Sequence, residues 1–170
     1  MSEALKDHPD VVVFPPLVPL AILVLSVALQ WLAPLHLLTM IEPAPRVIAG
    51  AVVAAVGILV TITGGLALTR RRTNVSPSLP TLALATTGIF RFTRNPMYVG
   101  GMKALAGVAL IFALDWLVVL MIPAAFVLHH GIVTREEQYL LRKFGDEYQS
   151  YRATAPRYLP LLNRPQQAQR

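Results

Sequence analysis

The sequence predicts an all-α integral membrane protein of about four transmembrane helices, the last two a tight hairpin, with short cytoplasmic helices after them. Four apolar runs, at 17–38, 47–68, 96–114 and 116–130, carry one charge among them, Lys103. Each is close to the length needed to cross a hydrocarbon core of roughly 30 Å as a helix. Small residues recur at helical spacing in the second and third runs, a pattern that lets helix backbones approach closely where lipid removes the hydrophobic driving force. Basic residues crowd alternate links, which sets an orientation.

Composition agrees with that class. Of 170 residues, 55% are hydrophobic and 14% charged, with a mean hydropathy of +0.56. This is too apolar for an ordinary soluble domain. The absence of cysteine excludes disulfides, thiolate metal sites and a cysteine nucleophile. The net charge of +6 reads as membrane orientation rather than nucleic-acid binding, because of where the arginines fall.

Residues 1–16 read as a cytoplasmic N-terminal segment. They lack the basic start and small-residue cleavage site of a signal peptide. Residues 17–68 read as a two-helix membrane anchor. Pro19 falls near the start of the first helix, where a missing N–H costs little, and Pro34 is placed to end or kink it. Glu42, Pro43 and Pro45 mark a turn. In the second run Gly50, Ala54, Gly57, Thr61 and Gly64 recur at spacings of four and three, forming one small-residue face.

Residues 69–162 read as the functional core, and 163–170 as a frayed tail. Arg70, Arg71 and Arg72 stop the second span. The stretch 73–87 has Ser-Pro and Leu-Pro steps that break helix, so it is expected as an interfacial loop. The third run repeats the small-residue spacing through Gly100, Ala104, Gly107 and Ile111, and only Asp115 separates it from the fourth, hence the expected hairpin. Five arginines lie between the second and third spans (Arg70, Arg71, Arg72, Arg91, Arg94). Seven basic residues come after the fourth, Arg135 to Arg170, while the opposite links offer only Arg46. The positive-inside rule then places both termini in the cytoplasm.

Two polar clusters therefore emerge at one membrane face. The first, GIFRFTRNPMYVGG at 88–101, brings Arg91, Arg94, Asn95, Pro96 and Tyr98. The second, TREEQYLLRKFGDEYQSY at 134–151, opens with Glu136 and Glu137. A mouth between them suits a reaction joining a charged, water-soluble ligand to a lipid-soluble one. Arg91 and Arg94 bind either a carboxylate or phosphate, or lipid headgroups. The paired glutamates either meet ribose hydroxyls or a cationic cofactor, or simply open a helix whose dipole favours acids. Tyr139 lies three positions from Glu136, and Gly145 is a natural stop before a second short helix. His129 and His130 point about 100° apart on a helix, and with no third ligand at sensible spacing no metal is expected.

The run T-x-G-I-F-R-F-T-R-N-P-M-Y-V-G from Thr86 to Gly100, then a hydrophobic hairpin, then R-E-E-x-Y-L-x-x-x-F-G-x-x-Y-x-x-Y from Arg135 to Tyr151, resembles the bacterial isoprenylcysteine carboxyl methyltransferase family. That family sits in a wider group of integral-membrane methyltransferases that includes the phospholipid N-methyltransferases. The similarity covers roughly 70–160. It implies S-adenosyl-L-methionine as methyl donor, with Arg94, Asn95, Pro96, Tyr98, Glu136 and Glu137 as cofactor-binding residues and Arg94, Asn95 and Arg157 at the chemistry. The commonest family form has histidine where this chain has Asn95, which hydrogen-bonds but does not titrate. A lipophilic acceptor is implied, a carboxylate needing no general base or an amine needing one. The expected location is the bacterial inner membrane. The alternatives are a non-enzymatic membrane scaffold that binds headgroups or a partner protein, and a sterol-reductase-like NADPH enzyme. The sequence leaves the identity of the acceptor and the oligomeric state open.

Overall fold

The computed structural model describes residues 7–158, and these residues form helices and loops without strands. Five α-helices occur in order: α1 (Leu17–Leu32), α2 (Pro43–Arg70), α3 (Pro96–Phe112), α4 (Asp115–Leu128) and α5 (Thr134–Thr154). A π-helical turn, His129–Val133, joins α4 to α5, so α4 runs directly into the first part of α5. The tail expected at 163–170 lies outside the described residues.

Helix ends obey local chemistry. Pro34 ends α1 early, at Leu32, because the residue before a proline is driven out of helical geometry. Pro43 occupies the first turn of α2, where its missing N–H is harmless. Pro96 does the same for α3. Inside α5 the chain breaks at Gly145 (φ 49°, ψ −122°), so the expected pair of short helices is present on either side of that glycine.

The closest packing lies between α2 and α3, which run antiparallel. A Cβ added to Gly57 would stand 2.4 Å from the Ala104 nitrogen and 2.6 Å from the Gly100 oxygen. One added to Gly107 would stand 2.4 Å from the Ala54 nitrogen. The small residues of α3 face α2 rather than α4, although only Ala113 and Leu114 join α3 to α4. Only α2 offers a matching stripe. Against α3, α4 contributes a bulkier contact, with Leu117 packed beside Leu105 and Ala109. Helix α1 lies antiparallel to α4, with Val18 beside Ala124, Leu128 and Ile132. The two N-terminal helices thus each pack on a C-terminal partner.

At one end of the bundle the links cross-brace each other. Trp116 donates to the Ala33 carbonyl (2.7 Å), and the Leu38 N–H donates to the buried Asp115 carboxylate (2.8 Å). At the other end meet the 71–95 loop, α5 and residues 7–16. Large apolar side chains such as Val24, Ile58, Leu59, Ile62, Ile122 and Phe126 stand exposed on the outer faces. Pro43–Arg70 and Asp115–Thr154 are long and apolar enough to cross a membrane, the apolar part of the latter being its N-terminal half. Helices α1 and α3 are shorter, at 16 and 17 residues.

Candidate functional site

At the end where the polar clusters meet there is a cavity of about 580 Å³. Arg94, Asn95, Pro96, Tyr98, Glu136 and Glu137 all line it. Arg94 and Asn95 lead into α3, Pro96 and Tyr98 lie in its first turn, and the first turn of α5 supplies the two glutamates. The π turn matters here: one extra residue per turn rotates the downstream helix by about 100° relative to an uninterrupted α-helix. It buries Ile132 and Val133 completely while α5 presents both glutamates to the cavity.

The glutamates have different partners. Glu137, 7% exposed, is held between two arginines: Arg94 at 3.2 Å and Arg157, which donates from Nε (3.0 Å) and Nη2 (2.7 Å). The side chain of Arg94 is itself only 6% exposed, and its Nε and Nη1 are buried with no hydrogen-bond acceptor among the described residues. Burial pushes the Tyr148 phenol's pKa up and the Glu137 charge adds to this, while Arg94 opposes it by its charge and by a hydrogen bond. Glu136 instead accepts a hydrogen bond from the Tyr98 hydroxyl (2.9 Å). Burial raises the Glu136 carboxyl from 4.5 to about 7; the Tyr98 bond opposes this, and the neighbouring Glu137 charge adds to it.

Asn95 does not face the cavity with a free amide. Its Nδ2 donates to the Arg157 carbonyl (3.1 Å), which also accepts from Thr93 Oγ1 (3.1 Å), while the Arg94 N–H donates to the Pro156 carbonyl (2.9 Å). These bonds lash residues 156–157 onto the start of α3. Arg157 reaches the site through Glu137. His129 accepts or donates a hydrogen bond with Tyr158 (2.7 Å). No group of three or more histidines or acids able to hold a metal occurs among the described residues. Tyr139, expected beside Glu136, turns the other way: its hydroxyl donates to Asp7 and accepts from the Thr81 N–H (3.1 Å each).

Reading the residues alone missed two walls. The 73–87 loop, expected only at the membrane surface, covers the cavity with Asn74, Val75, Ser76, Pro77, Thr81 and Ala83 to Ala85. It holds its shape through Thr73 Oγ1, which accepts from the Leu82 and Ala83 N–H groups, and through Asn74, which donates to the Pro80 carbonyl (2.7 Å). The second wall is N-terminal: Pro9, Phe14, Pro15, Pro16 and Pro19. Leu84, Ala85, Phe90, Tyr148 and Tyr151 form an apolar core behind the arginines.

The family model described as phospholipid methyltransferase matches residues 45–147, from the start of α2 into the second half of α5. Protein-S-isoprenylcysteine O-methyltransferase of Schizosaccharomyces pombe is 32% identical over 79 residues, which is 46% of this chain and 34% of that protein. The match thus spans about a third of the relative's length. No solved structure matches the chain significantly.

Proposed function

The chain belongs to the phospholipid methyltransferase family, and from that premise we propose that it is an S-adenosylmethionine-dependent integral-membrane methyltransferase acting on a lipophilic carboxylate. The carrying observation is a cavity of mixed character. A buried arginine with two unpaired nitrogens and a carboxylate of raised pKa share it with a wall of proline, phenylalanine and aliphatic side chains. Orphaned buried donors carry a cost of about 1–3 kcal/mol each, which an anionic ligand group removes.

The residues present fit the donor. When bound, S-adenosylmethionine supplies an electrophilic methyl group on a sulfonium. Glu136, once ionised, offers that positive charge a counter-charge, and Tyr98 fixes the carboxylate's direction. The run Arg94 to Tyr98 forms the adjoining wall. Glu137 holds the Arg94 and Arg157 guanidiniums in place, leaving Arg94 Nε and Nη1 to orient the acceptor carboxylate. Asn95 holds the 156–157 segment against that arrangement rather than moving a proton. A carboxylate needs no base, so the chain's task is alignment and exclusion of water, provided by the loop and N-terminal walls. In this reading helices α1 to α4 cross the bacterial inner membrane and the cavity opens at the cytoplasmic face.

Titration of purified protein with S-adenosylhomocysteine and with NADPH tests the reading. The former should bind and the latter should not. Glu136→Ala should weaken binding about tenfold with the fold intact. Glu137→Ala should weaken it and also lower stability, by about 3 kcal/mol, because a buried cation loses its partner. A wild-type protein that takes up no S-adenosylhomocysteine overturns the proposal.

A further inference from the structure

Residues 7–16 run along one face of the helix that carries the glutamates, bonding at every fourth residue. The Val12 N–H donates to the Gly131 carbonyl (3.2 Å), Arg135 donates to the Asp10 carbonyl (2.9 Å), and Tyr139 and Lys143 donate to Asp7, the latter at 2.6 Å. Positions 131, 135, 139 and 143 form a single stripe. The segment is zipped to the helix by these polar bonds, and Val11 and Val13 pack it against the core formed by Val18, Ala124, Leu128 and Ile132. It also lies outside the family region, which begins at residue 45.

What this strap gives the cavity is uniform in kind. Pro9, Phe14, Pro15 and Pro16 face it, with Pro19 next on α1. Prolines have no N–H to donate, and the opposing Thr61 hydroxyl already donates to the Gly57 carbonyl (3.0 Å). On the α3 side Gly101 has no atom within 4 Å of where a Cβ would stand, so space is left open there. The side chains that the strap presents offer a ligand only apolar contact, and Arg94 offers a polar group two unpaired donors.

We infer that the strap is the wall that selects the acceptor, with the acceptor's hydrocarbon chain lying against Phe14, Pro15 and Pro16 and its carboxylate on Arg94. This rests on the methyltransferase reading and adds the residues that choose the substrate. Phe14 is the selecting side chain, being the one large group in the strap's lining.

The test uses the full chain in phosphatidylcholine nanodiscs and radiolabelled dodecanoate, with binding measured above that of empty nanodiscs. Unlabelled straight-chain carboxylates of eight to eighteen carbons serve as competitors. Affinity for S-adenosylhomocysteine is measured on the same samples. Saturable dodecanoate binding is expected, weakened about tenfold by Phe14→Trp, which fills the arm, and with shorter chains then favoured. Lys143→Met, which frees the strap's end, should weaken dodecanoate about threefold, and Asp7→Lys with Lys143→Asp should restore it. S-adenosylhomocysteine affinity should stay within about twofold throughout, which also shows that each variant folds. No saturable binding in the wild type, or the same affinity and chain-length order in Phe14→Trp, overturns the inference. Loss of S-adenosylhomocysteine binding by the wild type would instead strike the methyltransferase reading, so the two failures are distinct.

Discussion

Glu136 and Glu137 are adjacent in sequence yet meet opposite environments, and that difference sets their chemistry. Glu137 sits between two guanidiniums, while Glu136 has one neutral phenol and an apolar surround. Burial without a cation favours the protonated form, so Glu136 titrates at about 7 instead of 4.5. Between about pH 4.5 and 7 the native state holds a proton that the unfolded chain has released, so this residue's contribution to stability falls as pH rises through that window. Glu136→Gln should therefore be no more stable than wild type at pH 5 but more stable at pH 8, read from thermal unfolding of both proteins across that range. Binding should run the other way. Affinity for cationic S-adenosylmethionine should rise from pH 6 to pH 8 in the wild type and stay flat in Glu136→Gln. A wild-type affinity that does not change with pH would show that this carboxylate does not face the sulfonium.

Among the elements, α2 and α3 show most directly how sequence sets packing. Gly50, Gly57 and Gly107 stand where the neighbouring helix's backbone comes nearest to the place of a Cβ. Backbone cannot give way cheaply, so Gly57→Ala should force the helices apart and cost about 1–3 kcal/mol. Gly65 lies on the same helix with nothing within 4 Å of its Cβ position. Gly65→Ala should therefore be neutral or raise stability by up to about 1 kcal/mol through helix propensity. Thermal unfolding in one detergent compares the two; equal losses would mean that the close approach does not hold the bundle together. The stripe itself was legible from spacing, but its partner was not. Small residues announce that some backbone comes near without saying which, and chain order suggested α4. The strap was less legible still, because two of its bonds use the Val12 N–H and the Asp10 and Gly131 carbonyls, groups that every sequence carries.

For the whole molecule, the apolar runs, the proline stops and the meeting of the two polar clusters could be read from residue order, because each rests on local pattern. The cavity's outer walls could not, since they depend on how loops fold back over α5. The two ends of the bundle are now defined by contacts. Ala33, Leu38, Arg46, Asp115 and Trp116 bind together at one, and Thr81, Arg94, Tyr139 and Arg157 gather at the other. Helix α2 connects them with 28 residues, about 42 Å of helix, which exceeds a hydrocarbon core of roughly 30 Å. Helix α1 is about 24 Å long, so if it spans it must draw the bilayer thinner or lean on its flanking residues. If the bundle crosses the membrane as a unit, exposed positions at its two ends must lie on opposite sides. Glu42 and Ser78 are such positions, and the chain contains no other cysteine to confuse the result. In sealed vesicles an impermeant maleimide should reach Ser78→Cys from the face that was cytoplasmic and Glu42→Cys only from the other. Labelling of both from one side would mean that α2 does not span, and the cavity would then have to meet the proposed lipophilic acceptor from a protein lying on the membrane rather than in it.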